Sequence, residues 1–485
     1  MFIGIDLGTS SVKSVLLAGN SHIVATATAP LEVQRPAPGY SEQDAESWWR
    51  ATLQTIDDLA RQAPREVAAV SGIGLSGQMH GATLLDAAGE VLRPCILWND
   101  VRAAAECREL EHRLPDLGRI TGNPAMPGFT APKVMWVRKH EPAVFARIAK
   151  VLLPKAYLRY RLSGDFFEDM SDASGTLWLD VGARRWSDAA LAATGMSRDQ
   201  MPDLVEGSAP AGMLRAELAQ RWGMAKPPVI AGGAGDNAAG AVALGAIKPG
   251  DAFVSLGTSG VLWATTAGFA PNPRAAVHAF CHCVPQTWHQ MGVILSAASC
   301  LSWLSGLVGV SEADLLRERG DNLERPSPVL FLPYLSGERT PHNDADIRGA
   351  FAGLSHQTDR KELTQAVMEG VAFALKDCLD ALRAAGTDLQ AADAIGGGSR
   401  SALWLRIIAN VLDLPIHRLA DSEVSGAMGA ALLGRMAATG EDPRSVCRPP
   451  QRSSTITPTA GLRDAYAEAF AGYRKLYPGI KEATR

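Results

Sequence analysis

Long apolar stretches are missing from this chain of 485 residues: no segment of about 18 uninterrupted apolar residues appears that would cross a bilayer. Before the strand-like pattern that starts at Phe2 there is neither a basic segment nor an apolar leader core, which predicts a cytoplasmic protein. Charge of one sign is never concentrated. The 47 basic and 51 acidic residues are interspersed, so neither a nucleic-acid groove nor a polybasic membrane patch is expected. Cysteine is scarce, and its seven copies are scattered and odd in number, unlike a secreted disulfide framework. The one close group, Cys281-His282-Cys283, has no second Cys/His pair at finger or ribbon spacing, and ligands at i and i+2 would leave opposite faces of a strand. Buried thiols are the better reading.

What is present is enough apolar residue, 47% of the chain, to bury more than one core, so two domains are expected. FIGIDLG, SVKSVLLAG and HIVATATAP read as three short strands, and residues 41–63 read as a helix with Trp48, Leu53, Ile56 and Leu59 on one face. VAAVSGIGLSG and VLRPCILWN return to strand patterns. Past the midpoint the order recurs. GDAFVSLGTSGVLWATT is a strand, turn and strand, LTQAVMEGVAFALKDCLDAL a long helix, DAIGGG a strand entering a glycine loop, and SRSALWLRIIANVL a helix. SGAMGAALLGRMAA is a small-residue helix suited to close packing. Gly and Pro in GAIKPGD, residues 245–251, mark the boundary, so the chain divides into 1–246 and 247–485, two α/β units.

Each unit opens on the same turn: IDLGTSSVK at residues 5–13 and VSLGTSGVL at 254–262. Gly8 and Gly257 let the backbone tighten, and the hydroxyls of Thr9, Ser10 and Thr258 stand beside exposed amides, a combination suited to phosphate oxygens. One such turn is an ordinary hairpin; two, facing each other, would grip one polyphosphate. Asp6 replaces Ser255 in the first copy, where it would approach Mg²⁺ unless it merely caps the turn, and Lys13 would meet phosphate charge unless it is an ordinary exposed lysine. In AGGAGDNAAGA, residues 231–241, glycines precede Asp236-Asn237 and a small-residue helix follows. The carboxylate is expected at a helix N-terminus, as a ligand-facing group or as a plain cap.

IDLGTS, GQMHGATLLD, LWNDVR, GFTAPKVMWVRKH, AGGAGDNAAGA, VSLGTSG, LPYLSGERTPH, GAFAGLSHQTDRKELTQAVMEGVAF and IGGGSRSALW together resemble the FGGY carbohydrate kinases of the actin-like ATPase superfamily, in family order from residue 5 to about 430. The resemblance implies an α/β fold of two ribonuclease-H-like domains with an interdomain cleft, the sugar mostly on the first and ATP mostly on the second. It implies Asp236 as general base and, with Asp6, as a holder of Mg²⁺; the helix N-terminus would keep the Asp236 carboxylate ionised. Met79 and His80 of GQMHG would lie at the sugar, with Trp98, Asn99 and Asn237 as further pocket residues. Gly397 and Gly398 would let the adenosine approach the backbone, although a strand-to-helix turn would use the same glycines. The alternative for His80 is a satisfied strand histidine and for Trp98 core packing. Ala234 departs from the shorter AGGGDN-like loop of the family.

GQMHG, LWNDVR and GFTAPK resemble most the pentulose-phosphorylating branch, which implies D-xylulose as acceptor, phosphorylated on its 5-hydroxyl. Another ketose or polyol acceptor is the second reading. A partner-binding ATPase, actin-like or chaperone-like, is the third, and would need no polar pocket. Beyond about Gly440 motif residues are few, and the helix DAYAEAFAGYRKLY reads as packing or as a subunit contact of a homodimer.

Overall fold

A computed structural model describes residues 1–420 and 425–484. In chain order the first part contributes β1 (Phe2–Leu7), β2 (Ser11–Leu17), β3 (Ile23–Pro30), α1 (Ala45–Gln62), β4 (Gly72–Gly77), α2 (Thr130–His140), α3 (Pro154–Ser163), β5 (Pro210–Met213), β6 (Val229–Ala231), the short β7 (Ala234–Gly235) and α4 (Asp236–Ala243). Its sheet has the order β5-β6-β4-β1-β2-β3, with β7 also on β4. The second part supplies β8 (Ala252–Leu256), β9 (Gly260–Thr266), β10 (His278–Cys281), β11 (Trp288–Ile294), α5 (Arg360–Ala384), β12 (Ala392–Ile395), α6 (Ala402–Leu412), β13 (Ile416–Leu419), α7 (Gly426–Thr439), β14 (Arg452–Ile456), α8 (Arg463–Tyr473) and α9 (Leu476–Ala483). The second sheet runs β10-β11-β9-β8-β12-β13-β14. The result is a mixed α/β structure built on two large sheets, and among the described residues no helix is long and apolar enough to cross a membrane.

Local chemistry explains the element ends. The helix expected from residue 41 begins at Ala45 because the Asp44 side chain accepts from the Glu46 amide, while Glu42–Gln43 pairs with Cys95–Ile96 as a strand. Only those two residues of VLRPCILWN make a ladder, and Pro94 has no N–H to extend it. DAYAEAFAGYRKLY is two helices, α8 and the start of α9, folded onto its own chain: the Tyr466 hydroxyl donates to Glu369 Oε1 at 2.9 Å, and Tyr477 stacks on His342 at 3.6 Å between centroids. All seven thiols are buried and free.

α1 covers one face of the first sheet with Trp48, Ile56 and Leu59. The other face is covered by α7, which lies almost 200 residues beyond that sheet's last strand. The approach is close enough to need glycine: a Cβ on Gly4 would lie 1.8 Å from the Ala427 carbonyl oxygen, and one on Gly74 the same distance from that of Ala430. α7 also crosses α4, where a Cβ on Gly429 would lie 1.8 Å from the Ala239 oxygen. The two crossing helices thus begin side by side, at Asp236 and Gly426.

Candidate active site

A cavity of about 320 Å³ opens above the start of α4. Met79, His80, Trp98, Asp236 and Asn237 line it from the first part of the chain; Ser255, Gly257, Thr258, Ser259, Val261, His278, Phe280, Met291, Val293 and Arg339 line it from the second. A larger hollow of about 780 Å³ around Asp180, Arg184 and Arg198 holds none of the motif residues.

Asp236 is the first residue of α4, with Gly235 at the cap position, so it is not the plain N-cap. Its Oδ1 accepts from the Asn237 amide at 2.7 Å and from Asn237 Nδ2 at 3.0 Å, which aims the carboxylate into the cleft. Its side chain is exposed to the cavity, yet the cleft walls around it desolvate the carboxylate and, with Asp6 second, raise its pKa to about 6. The carboxylate thus stays mostly ionised at neutral pH, but with a pKa raised by desolvation. Asp6 Oδ1 accepts from Ser76 Oγ at 2.8 Å, and burial raises its pKa too. A Cβ on Gly426 would lie 2.9 Å from that carboxylate, so Asp6 sits at the start of α7 as Asp236 sits at the start of α4.

His80 adopts φ +71°, a left-handed conformation costly for a side-chain-bearing residue, and the motif GFTAPK holds it there. Thr130 Oγ1 and Lys133 Nζ, both on α2, donate to its carbonyl at 3.1 and 2.9 Å, and Phe129 packs on its ring at 4.5 Å. Its Nδ1 stands 2.7 Å from the Gly175 carbonyl, which only accepts, so Nδ1 carries the proton and Nε2 is an acceptor. Burial lowers its pKa to about 3, keeping the ring neutral. Trp98 is 42% exposed at the rim, with Nε1 donating to Thr9 Oγ1 at 3.0 Å, which removes the core-packing alternative. Asn99 does not line the cavity, and its buried Oδ1 has no partner among the described residues.

The two LGTS turns are not twins. In the first, Leu7 pairs with Val12 and Asp6 with Lys13; in the second, Leu256 pairs with Gly260 and Ser255 with Val261. The second loop is one residue shorter, which flips the following strand: Leu262, aligned in sequence with Lys13, turns into the core while Val261 faces the cavity. Hydroxyl use differs as well. Thr9 donates its proton to Gln78 Oε1 at 3.1 Å and the Gly8 amide donates to the Ser11 carbonyl at 2.9 Å, leaving the amides of Thr9 and Ser10 for an anion, whereas Thr258 and Ser259 are exposed in the cavity. Lys13 lies beside Asp6 and outside the cavity wall. Gly397 and Gly398 abut the second hairpin: a Cβ on Gly398 would meet Leu256 Cβ at 2.9 Å, and Gly397 faces open space.

Sequence reasoning missed the support beneath Asp236. Lys155 Nζ, on α3, lies 2.7 Å from Glu168 Oε1, 2.7 Å from Asp169 Oδ2 and 3.6 Å from Asp172 Oδ2, all fully buried. An ammonium thus occupies the one grouping of three metal-type ligands among the described residues. Burial pulls the Lys155 pKa down, but Asp169 and Glu168 more than offset this and keep it charged. Arg159 donates to the Gly232 carbonyl, and the Gly235 amide donates to Ser171 Oγ at 3.1 Å, so this network grips both ends of the glycine loop carrying Asp236. Also missed was the far wall. His278 Nδ1 bonds Asn123 Oδ1 at 2.8 Å and its Nε2 accepts from Arg339 Nη1 at 3.2 Å. GERTPH was the visible signal for Arg339, but nothing in that stretch alone says which cavity it enters.

Comparison with known proteins gives a consistent picture. The N-terminal domain profile of the FGGY family of carbohydrate kinases matches residues 1–243, and its C-terminal domain profile residues 252–438. The xylulose kinase of Escherichia coli (strain K12) is 50% identical over 480 residues, 98% of each chain. Among solved structures, a xyloylose kinase from Brucella ovis superposes with a TM-score of 0.97 at 56% identity over 99% of both chains, and a xylulose kinase from Rhodospirillum rubrum with 0.92 at 28% identity, again over 99% of both.

Proposed function

Because the chain belongs to the FGGY family of carbohydrate kinases, we propose that it transfers the γ-phosphoryl group of ATP to the 5-hydroxyl of D-xylulose, giving D-xylulose 5-phosphate and ADP. The observation that carries this reading is the convergence of Asp236, Asn237, Met79 and His80 in one cavity with the second LGTS hairpin. In the same proposal the chain divides at 246/247 and the reaction takes place in the cytoplasm between two small molecules.

Phosphoryl transfer to an alcohol passes through a loose, in-line transition state, so alignment and charge are what the protein supplies. Asp236, poised near pKa 6, accepts the proton of the 5-hydroxyl as the oxygen bonds to phosphorus and the bond to the ADP oxygen breaks. The neutral His80 accepts through Nε2 from a non-reacting hydroxyl, and Met79 and Trp98 shape the pocket. The amides of the two hairpins, with Thr258 and Gly257, receive the phosphate chain, while Gly397 and Gly398 admit the adenosine.

The site also suits Mg²⁺. Asp6 adds to the difficulty of ionising Asp236, burial raises the pKa of Asp6 itself, and among the described residues neither carries a Lys or Arg salt bridge. These two carboxylates would hold the ion, which neutralises phosphate charge when bound. Asp6→Ala is expected to raise the Mg²⁺ concentration needed for half-maximal rate and to depress kcat, with Ser255→Ala mild; titration of activity against Mg²⁺ checks this, and equal effects at both positions would remove Asp6 from the metal site. The acceptor is tested by a coupled ADP assay over pentuloses, hexuloses, glycerol and pentitols. D-Xylulose should give the highest kcat/KM; a preferred hexulose or polyol would replace it with the second reading.

A further inference from the structure

The kinase reading implies something about the form of the sugar. A 2-ketopentose closes its ring by adding O5 to C2, so a molecule with a free 5-hydroxyl is open and displays a C2 carbonyl. That carbonyl is a pure acceptor and needs a donor from the protein. Asp236 is acceptor-only when ionised, His80 presents Nε2 as an acceptor, and Asn237 spends one N–H of its Nδ2 on Asp236 and keeps one neutral N–H beside that carboxylate. None of these offers a charged donor to a ketone oxygen.

Arg339 does. It is the one cation among the described residues that lines the cavity. Of its donors only Nη1 is engaged, by His278 Nε2, while Nε and Nη2 have no partner among the described residues and no carboxylate forms a salt bridge with it. The neighbouring Glu338 is held instead by the amides of Leu295 and Arg339 at 3.0 and 2.7 Å, and burial pushes its pKa up to about 8, leaving it largely protonated at neutral pH. Phe280, Met291 and Val293 line the cavity with it, so its free donors share that cavity with apolar side chains. Its charge is also among the causes that depress the pKa of His80 and of His278, which places Arg339 near both rings.

We propose that Arg339 donates to the C2 carbonyl oxygen of the open-chain pentulose and thereby selects a ketose over the polyol of the same length. This rests on the kinase reading and deepens it: the second part of the chain, expected to hold ATP, contributes the group that reads the sugar. A guanidinium suits the task because it cannot lose its proton and presents its donors in a fixed fork.

Arg339→Met and Arg339→Lys test the assignment, with kcat/KM for D-xylulose and for D-arabinitol, the same carbon chain with C2 reduced, KM for ATP, and melting temperature read for each. Arg339→Met should lower kcat/KM for D-xylulose by roughly 10- to 100-fold, change that for D-arabinitol by less than about threefold, and leave KM for ATP near the wild-type value. Arg339→Lys, which keeps the charge, should recover part of the loss on the ketose. Should Arg339→Met fail to fold, the Lys variant decides: a loss confined to the ketose supports the assignment, an equal loss on both acceptors overturns it. Wild-type discrimination retained in Arg339→Met overturns it alone. A wild type inactive on D-xylulose overturns it together with the kinase reading.

Discussion

Asp236→Asn is expected to lower kcat by roughly 10²–10⁴ while leaving the fold intact, the range of a positioned general base. Asparagine keeps an oxygen to accept from the Asn237 amide, so the start of α4 should hold its geometry and only proton acceptance is lost. Stability should move the other way. The folded-state pKa of Asp236 is raised from 3.8 to about 6, so the stability its protonation contributes is complete below about pH 4 and is lost as pH rises through 6. At about pH 8 the wild type therefore carries an ionised carboxylate its surroundings disfavour, and the variant should melt at the same temperature or higher, the gap closing as pH falls towards 5. Wild-type kcat/KM should likewise fall about tenfold per unit below pH 6. Turnover near the wild-type level would remove Asp236 from proton transfer.

The second large effect lies under the loop. Lys155→Met leaves Glu168, Asp169 and Asp172 buried with Arg159 as their remaining cation, and Arg159 already donates to backbone carbonyls. Breaking a buried pair by removing one partner costs about 3–5 kcal/mol, because the charge left behind is neither solvated nor paired. Denaturant titration should show a loss of that order, and activity should fall in the protein that remains folded, since the Gly232–Gly235 segment loses its seat. Adding Glu168→Gln, which keeps an oxygen for the Asp169 amide, should restore part of the stability. A loss below about 1 kcal/mol would mean that the network does not support the loop.

Which of these residues the sequence discloses depends on how far apart the cooperating groups are. Met79, His80, Asp236 and Gly257 stand in short motifs whose chemistry is local, and they meet in one cavity. The opening hairpins were legible for the same reason, because a hairpin or an amphipathic helix such as α1 is written in neighbouring residues, whereas the order of strands across each sheet was not. Lys155 gave no signal: its partners follow 13 to 17 residues later in a stretch whose polar pattern suits a surface, and only the fold buries them. Arg339 and His278 come from separate elements that enter the cleft from the opposite wall. The shorter second hairpin was hidden because identical letters, LGTS, close loops of different length when the residue after them is Ser11 in one copy and Gly260 in the other.

The cover of the first sheet by α7 sets a schedule for synthesis. β1 and β4 are complete long before the ribosome reaches Gly426, and the glycine-lined face that α7 fills stays open while about 200 further residues emerge after α4. At roughly 5–20 residues per second this lasts about 10 to 40 s, during which a flat apolar sheet face has no partner within its own chain. A truncated product ending at the chain's midpoint would never acquire that partner. Early stop codons should therefore yield insoluble or chaperone-held fragments rather than a free sugar-binding half, and supplying the second half as a separate polypeptide should rescue solubility only if it includes residues 426–439.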